Sequence, residues 1–307
     1  MAKSIVVGID GSSAGDAAIT WAATRAARQN RPLQILHVID DDWGAIGTRQ
    51  LAELHPEALE LVAGAAALAS SVAPEVECVV RVTIGDPIVE LVDASHSAHL
   101  VVVGTHKTGF FHGRALGSRS LQLAAASQSP VAIIPGFSTS QRDGIVVGLD
   151  DSAGGEAALA FAARESRELD EPLVILHAIA PPRRRQSAIV TAMTSSASSL
   201  PVHAIERVKA LGVSHHVRVR SVRRPPAEAL IDAAAHAELL VLGSTRRRGA
   251  DLTLLGPVVH DVLMNITGPT VVVHGLTSVQ RGSLVPGHTA LLVDAEGTTE
   301  SPDRSEW

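Results

Sequence analysis

The feature that most constrains this chain is that it repeats itself. Ile5-Val6-Val7-Gly8-Ile9-Asp10 returns as Ile145-Val146-Val147-Gly148-Leu149-Asp150, offset by 140 residues. Ile35-Leu36-His37 returns as Ile175-Leu176-His177 at the same offset. Val102-Val103-Gly104 matches Val241-Leu242-Gly243, and Gly117 matches Gly256, both offset by 139. A nearly constant offset over more than a hundred residues points to tandem duplication of a whole domain, not to a solenoid of short repeats. The 307 residues suffice for two domains of ordinary size. The expected boundaries are 1–138 and 143–275. A Gly-, Ser-, Thr- and acid-rich stretch, 276–307, lacks periodicity and is expected to be a flexible tail.

Both copies read alike. In the first, a strand at 4–9 ends in Asp10, and an Ala-rich helix runs to about Arg28. Ser12 and Ser13 are suitable N-caps, and Asp16 suits the first turn. Pro32 restarts the chain into a strand at 33–39. A variable stretch precedes a helix at about 56–72. A strand at 76–82, Gly85-Asp86-Pro87, a helix at 87–97 and a strand from His99 to Val103 follow. A glycine-bearing loop, a helix at about 118–127 and a strand at 131–134 complete the unit. The second copy has strands near 144–149, 172–178, 216–222, 238–242 and 270–274. Short Val/Ile/Leu runs alternating with helices suit parallel strands covered on both faces. The expected fold is therefore α/β: two tandem doubly wound five-stranded parallel-sheet domains, Rossmann-like, with a crevice at the strand carboxyl ends. Asp10, Val38 and Gly104 sit at those ends. The last strands, 131–134 and 270–274, would be edges and could pair as an intramolecular pseudo-dimer. Whether two chains then form a homodimer is not legible.

Composition narrows the function. Hydrophobic residues make up 46% of the chain and aromatics 2%, so the cores must be built from Ala, Val, Leu and Ile. Few aromatics leave few stacking platforms for single-stranded nucleic acid. A net charge of −6 disfavours general nucleic-acid or anionic-membrane partners. The single cysteine, Cys78, excludes an intramolecular disulfide and fits a reducing compartment. Met1 to Ser4 leads straight into an apolar run without a signal peptide, and no apolar stretch reaches spanning length. A soluble, cytoplasmic protein is expected.

The chemistry concentrates after the fourth strand, in Gly104-Thr105-His106-Lys107-Thr108-Gly109-Phe110-Phe111-His112-Gly113-Arg114-Ala115-Leu116-Gly117-Ser118-Arg119-Ser120. Its glycines allow close backbone approach to a ligand. Ser118 and Ser120 open a helix whose unpaired N–H groups suit an anion. Lys107, Arg114 and Arg119 add positive charge. This is not a P-loop, because no glycine stands five places before His106-Lys107-Thr108. Nor is it a dinucleotide fingerprint, because Asp10-Gly11-Ser12-Ser13 follows the first strand.

These residues resemble the universal stress protein family in its tandem two-domain form. ATP-binding members of that family carry G-x2-G-x9-G-[ST] after the fourth strand. Gly104, position 107, Gly117 and Ser118 fall in that spacing, with Asp10 and Gly85-Asp86-Pro87 alongside. The resemblance covers roughly residues 3–275. It implies an adenine nucleotide, ATP with or without Mg2+, held by Asp10, Gly11, Val38, Gly104, Lys107, Gly113, Gly117, Ser118 and Ser120. Asp10 would face the adenine-ribose end, the Val38 main chain the adenine, and Gly104, Gly117, Ser118 and Ser120 the phosphates. Lys107 replaces the family's second glycine and could crowd a phosphate or pair with it. In the second copy Arg246 takes that place, Pro257 replaces the serine, and Arg224-Pro225-Pro226 replaces the Gly-Asp-Pro segment. Proline brings neither N–H nor hydroxyl. That copy is expected to bind nucleotide weakly or not at all, although Arg246-Arg247-Arg248 could compensate with charge.

The family implies an ATP-binding regulator of the stress response that acts on a protein partner the sequence does not identify. Two alternatives stay open: a slow ATPase, and a partner-binding module with vestigial pockets. Phosphoryl transfer needs a positioned base and a metal-binding carboxylate. Only Asp10 and Asp86 are near, so at most weak ATP hydrolysis is expected, with no catalytic residue and no protein metal site named. His37 and His177 read as structural, His96 and His99 lack a third metal ligand, and Cys78 reads as buried filler.

Overall fold

The apolar run at Ile5 becomes a strand because both of its faces meet helices, and the same holds along most of the sheet. A computed structural model describes residues 2–41, 48–105, 118–136, 142–181, 200–213, 216–246 and 255–276. In the first repeat, β1 (Ile5–Ile9), α1 (Ser13–Arg28), β2 (Leu33–Asp40), α2 (Thr48–Val72), β3 (Cys78–Gly85), α3 (Pro87–Ser95), β4 (Leu100–Thr105), α4 (Ser118–Ala126) and β5 (Val131–Pro135) follow in order. The second repeat has β6 (Ile145–Gly148), α5 (Ala153–Leu169), β7 (Leu173–Ala178), α6 (Leu200–Ala210), β8 (Val217–Val222), α7 (Pro226–Ala234), β9 (Leu239–Arg246), α8 (Pro257–Met264) and β10 (Thr270–Leu276).

The described strands form one ten-stranded sheet, β3-β2-β1-β4-β5-β10-β9-β6-β7-β8. Within each repeat the pairs are parallel, and the strand order reverses between β1 and β4 and between β6 and β9. The two last strands, read from sequence as edges, pair antiparallel through Val131↔Val272, Ala132↔Val271 and Ile133↔Thr270. Two apolar layers cover the sheet, and each runs through both repeats. One contains Ile5, Ala18, Ala22, Ile35, Ile145, Ala162 and Ile175. The other contains Val6, Leu36, Leu91, Leu123, Leu230, Leu240 and Leu263.

Small residues set how closely α1 can lie on the sheet. Its buried face is Ala14, Gly15, Ala18, Ile19, Ala22, Ala23, Arg25 and Ala26, a stripe at helical spacing. The helix begins where the Ser12 side chain accepts the Gly15 N–H at 3.2 Å. Ser152 caps α5 in the same way, accepting from Gly155 at 3.0 Å.

The structure corrects several boundaries. α2 begins at Thr48 and not near 56, and carries Pro56 inside it. Burial of Ala58, Val62, Ala65 and Ala69 along that helix offsets the bond that proline cannot donate. β3 starts at Cys78, not 76, because its span is set by pairing with β2 from Leu33↔Cys78 to Asp40↔Gly85. As an edge strand it is not covered on both faces, and Val79, Val80 and Ile84 are exposed. Cys78 is only partly buried, with burial raising its thiol pKa. α3 ends at Ser95, not 97. β9 continues to Arg246 beside β10, which takes in Leu276 from the expected tail. The remainder of that tail, 277–307, lies outside the described residues. Among the described residues no helix is long and apolar enough to cross a membrane.

Candidate functional site

In a doubly wound sheet, ligands lie outside the strand carboxyl ends where the strand order reverses. The first repeat has a crevice of about 300 Å3 at that place, between β1 and β4. Its walls are Gly8, Ile9 and Asp10 from β1 and its end, and Leu36, His37, Val38 and Asp40 from β2. Pro87, Ile88 and Leu91 of α3, Val103 and Gly104 of β4, and Arg119, Ser120 and Leu123 of α4 complete them. Of the residues expected from sequence, Asp10, Val38, Gly104 and Ser120 therefore converge across more than a hundred residues of chain. Ser118 is the first residue of α4. Gly11 forms the turn beside Asp10 with φ +77°, where glycine escapes strain, and is not one of the crevice walls. Lys107, Gly113 and Gly117 lie outside the described residues, as do His106, His112 and the rest of 106–117.

Local chemistry explains how the walls are held. Asp10 Oδ1 accepts the Ser12 N–H at 3.1 Å, which fixes the turn between β1 and α1. His37 Nδ1 lies 2.9 Å from the Ile9 carbonyl and ties β2 to the end of β1. Asp86 Oδ1 accepts the N–H groups of Ile88 and Val89 at 2.7 and 3.0 Å, capping α3 where it borders the crevice. Across the mouth, Arg119 Nη2 and Asp40 Oδ2 stand 2.6 Å apart. Both are solvent-accessible, so the pair positions charge more than it stabilises the fold.

Gly104 has a structural duty of its own. A Cβ there would collide with the Ala14 carbonyl oxygen at the start of α1, and one at Gly243 would collide with the Gly154 backbone. Close helix–sheet packing thus requires glycine in both repeats, whatever either one binds.

The second repeat keeps the crevice and changes its walls. About 180 Å3 is enclosed by Gly148, Leu149, Asp150, Leu176, His177, Ala178, Pro226, Leu230, Leu242, Gly243, Val258 and Val259. Val258 and Val259 stand where the first repeat has Arg119 and Ser120, and Ala180 stands in place of Asp40. Asp150 survives, with its Oδ1 accepting from Ser152 N and Oγ at 3.2 and 2.6 Å. Pro225, in place of Asp86, provides no side-chain cap for α7.

Sequence reasoning missed the Asp40–Arg119 pairing and the apolar wall of Leu36, Ile88, Leu91 and Leu123. Asp40 had a signal: it lies two places beyond Val38, at the carboxyl end of the same strand. A separate, larger hollow of about 490 Å3 lies at the boundary of the repeats, walled by Trp21, Arg25, Arg28, Arg142 and Glu238 among others. Ile134 and Pro135 at the end of β5 also line it, whereas Asp10, Val38 and Gly104 do not. His96 Nδ1 faces the carbonyls of Val92 and Asp93 at 3.2 and 3.3 Å. His99 is held neutral, its pKa lowered to about 4 by burial first and then by Arg31. Among the described residues no group of three or more His, Cys, Asp or Glu could hold a metal ion.

Fold and site define a tandem α/β protein with one crevice at the switch point of each repeat. A family model described as the universal stress protein family matches residues 1–135 and again 142–274. The chain belongs to the universal stress protein family. Universal stress protein Rv2005c of Mycobacterium tuberculosis is 31% identical over 290 residues, covering 87% of this chain and 96% of that protein. Universal stress protein Rv2623 of the same organism is 30% identical over 290 residues, covering 87% and 95%. The crystal structure of a universal stress protein from Archaeoglobus fulgidus superimposes with a TM-score of 0.69 at 20% identity, over 88% of this chain and 98% of that one.

Proposed function

We propose that the first repeat binds an adenine nucleotide, ATP, and that its occupancy regulates a protein partner in the cytoplasmic stress response. The observation that carries this reading is the division of labour in the first crevice. Leu36, Ile88, Leu91 and Leu123 offer an apolar slot for a base, while Arg119 and Ser120 stand in the first turn of α4. Unpaired N–H groups of that turn and the arginine favour an anion at the same mouth. Asp10 takes the ribose end and the Val38 main chain the adenine. Gly104, Ser118 and Ser120 lie toward the phosphates, with Gly11, Lys107, Gly113 and Gly117 completing the set.

The second repeat is proposed to be vestigial as a nucleotide site. Its smaller crevice presents Val258 and Val259 where an anion would need donors. Its retained role is to pair with the first repeat through β10.

The test begins with protein purified without added nucleotide, then denatured, with any released nucleotide identified by chromatography. Calorimetric titration with ATP, ADP and AMP follows. Released or titrating ATP at one site per chain is the expected result. A protein that is empty and ignores all three nucleotides overturns the reading. ADP accompanied by turnover would instead establish a slow ATPase.

A further inference from the structure

The two repeats meet about an approximate twofold axis, and the residues nearest that axis are not alike. Ala132 and Val271 occupy equivalent repeat positions and face each other across the β5–β10 seam. Arg25 on α1 and Glu165 on α5 are also equivalent, being 140 residues apart. They too meet: Arg25 Nε donates to Glu165 Oε2 at 2.7 Å, with the side chains only 3% and 1% exposed.

In a true twofold dimer, a residue on the axis faces its own copy. A first repeat paired with another first repeat would therefore bury Arg25 against Arg25. A second repeat paired with its like would bury Glu165 against Glu165. Neither charge could be neutralised there, and an uncompensated buried charge is strongly destabilising. The surroundings reinforce the polarity. The Arg25 guanidinium lies 4.2 Å from the centre of the Trp21 ring, and its Nη1 is 3.7 Å from Glu238. Gln29 Nε2 donates to the other oxygen, Glu165 Oε1, at 2.7 Å. Arg28 donates to the Leu169 carbonyl and lies 3.4 Å from Glu171. At the equivalent positions the second repeat has Phe161 for Trp21, Glu168 for Arg28 and Leu169 for Gln29.

We propose that the buried Arg25–Glu165 pair makes repeat pairing obligately unlike. The α1/β5 face of the first repeat accepts only the α5/β10 face of a second repeat, from its own chain or from another copy, and rejects itself. This does not rest on the nucleotide reading.

The test uses two full-length variants. Arg25→Glu places two acids on the axis, and Glu165→Arg places two bases there. Alone, each is expected to lose about 10 °C or more in Tm, or to fail to accumulate as folded protein. Co-expressed, they can exchange repeats. One interface of the exchanged dimer is then wild type, Arg25 with Glu165, and the other carries the pair reversed. A 1:1 dimer of the two variants, seen by native mass spectrometry with recovered Tm, is the expected result. Either variant folding with the wild-type Tm and the wild-type oligomeric state overturns the proposal. So does destabilisation of both without recovery on co-expression. The apolar double variant Arg25→Met/Glu165→Met should stay folded near the wild-type Tm, because a packed apolar pair can replace a buried ion pair. Its collapse would also overturn the proposal, by making the pair a structural requirement and not a selector of partner.

Discussion

The two crevices of this chain are built on the same strand order and the same switch point, and both keep an aspartate there, yet among the described residues only the first adds an arginine and a serine from the helix that follows. Arg119, Ser120 and Asp40 line the first. Val258 and Val259 line the second, whose volume is about 180 Å3 against 300 Å3. Glycine is retained at 104 and 243 in both, because α1 and α5 leave no room for a Cβ. The lesson is that a shared glycine reports shared packing. The side chains in the first turn of α4 and α8 report the difference in chemistry.

The largest expected effect tests the shared part. Gly104→Ala and Gly243→Ala should each destabilise the fold by about 3 kcal/mol, in urea unfolding, since both force a side chain into helix backbone. Equal losses in the two repeats would confirm packing as the reason for both glycines. A stable Gly243→Ala variant would break the equivalence.

Next comes the part that differs. Arg119→Val with Ser120→Val gives the first repeat the second repeat's residues. ATP affinity by calorimetry should fall about 10- to 100-fold, the scale of one or two charge-assisted hydrogen bonds, with little change in Tm. Unchanged affinity would remove the first turn of α4 from the binding account.

Helix capping separates the repeats by a smaller amount. Asp86→Ala should cost about 1 kcal/mol by urea unfolding, because two N–H groups of α3 lose their acceptor. The α7 counterpart, Pro225, makes no such bond, so Pro225→Ala should not reproduce that loss.

The last effect is absent at neutral pH and develops only in acid. His99 stands where the second repeat has Glu238. Its pKa is lowered from 6.5 to about 4 in the folded protein. Between those values the unfolded chain takes up a proton that the folded chain does not. Stability therefore falls as pH drops from about 6.5 to 4, with no further contribution from this group beyond either limit. His99→Gln should flatten the dependence of Tm on pH in that window by a few degrees. An unaltered pH profile would show that His99 is not the group responsible.

Much of this architecture was legible in the sequence, and the reasons are local. The offset between Asp10 and Asp150 is visible by inspection. The strands of each repeat were legible because Val/Ile/Leu runs alternate with helical stretches, and the start of α1 because Ser12 caps it. Strand and helix ends were less legible. The limits of β3 and β9 come from pairing with β2 and β10, which no local pattern encodes. Pro56 read as a helix start, whereas the helix that contains it begins earlier. In the site, Asp10, Val38, Gly104 and Ser120 could be named because each stands at a strand or helix end. Asp40 and Arg119 are 79 residues apart in the chain and meet only in the folded protein.

What the sequence determined by itself was the duplication, the α/β class and the inequality of the two loops, since these depend on residue identity and short-range order. Only the tertiary structure decided that one sheet runs through both repeats, and that Arg25 and Glu165 meet near the axis relating them. Both outcomes depend on how edge strands pair across the chain. Backbone hydrogen bonds at an edge are open to any strand, and the match of side chains across the seam selects which strand takes them.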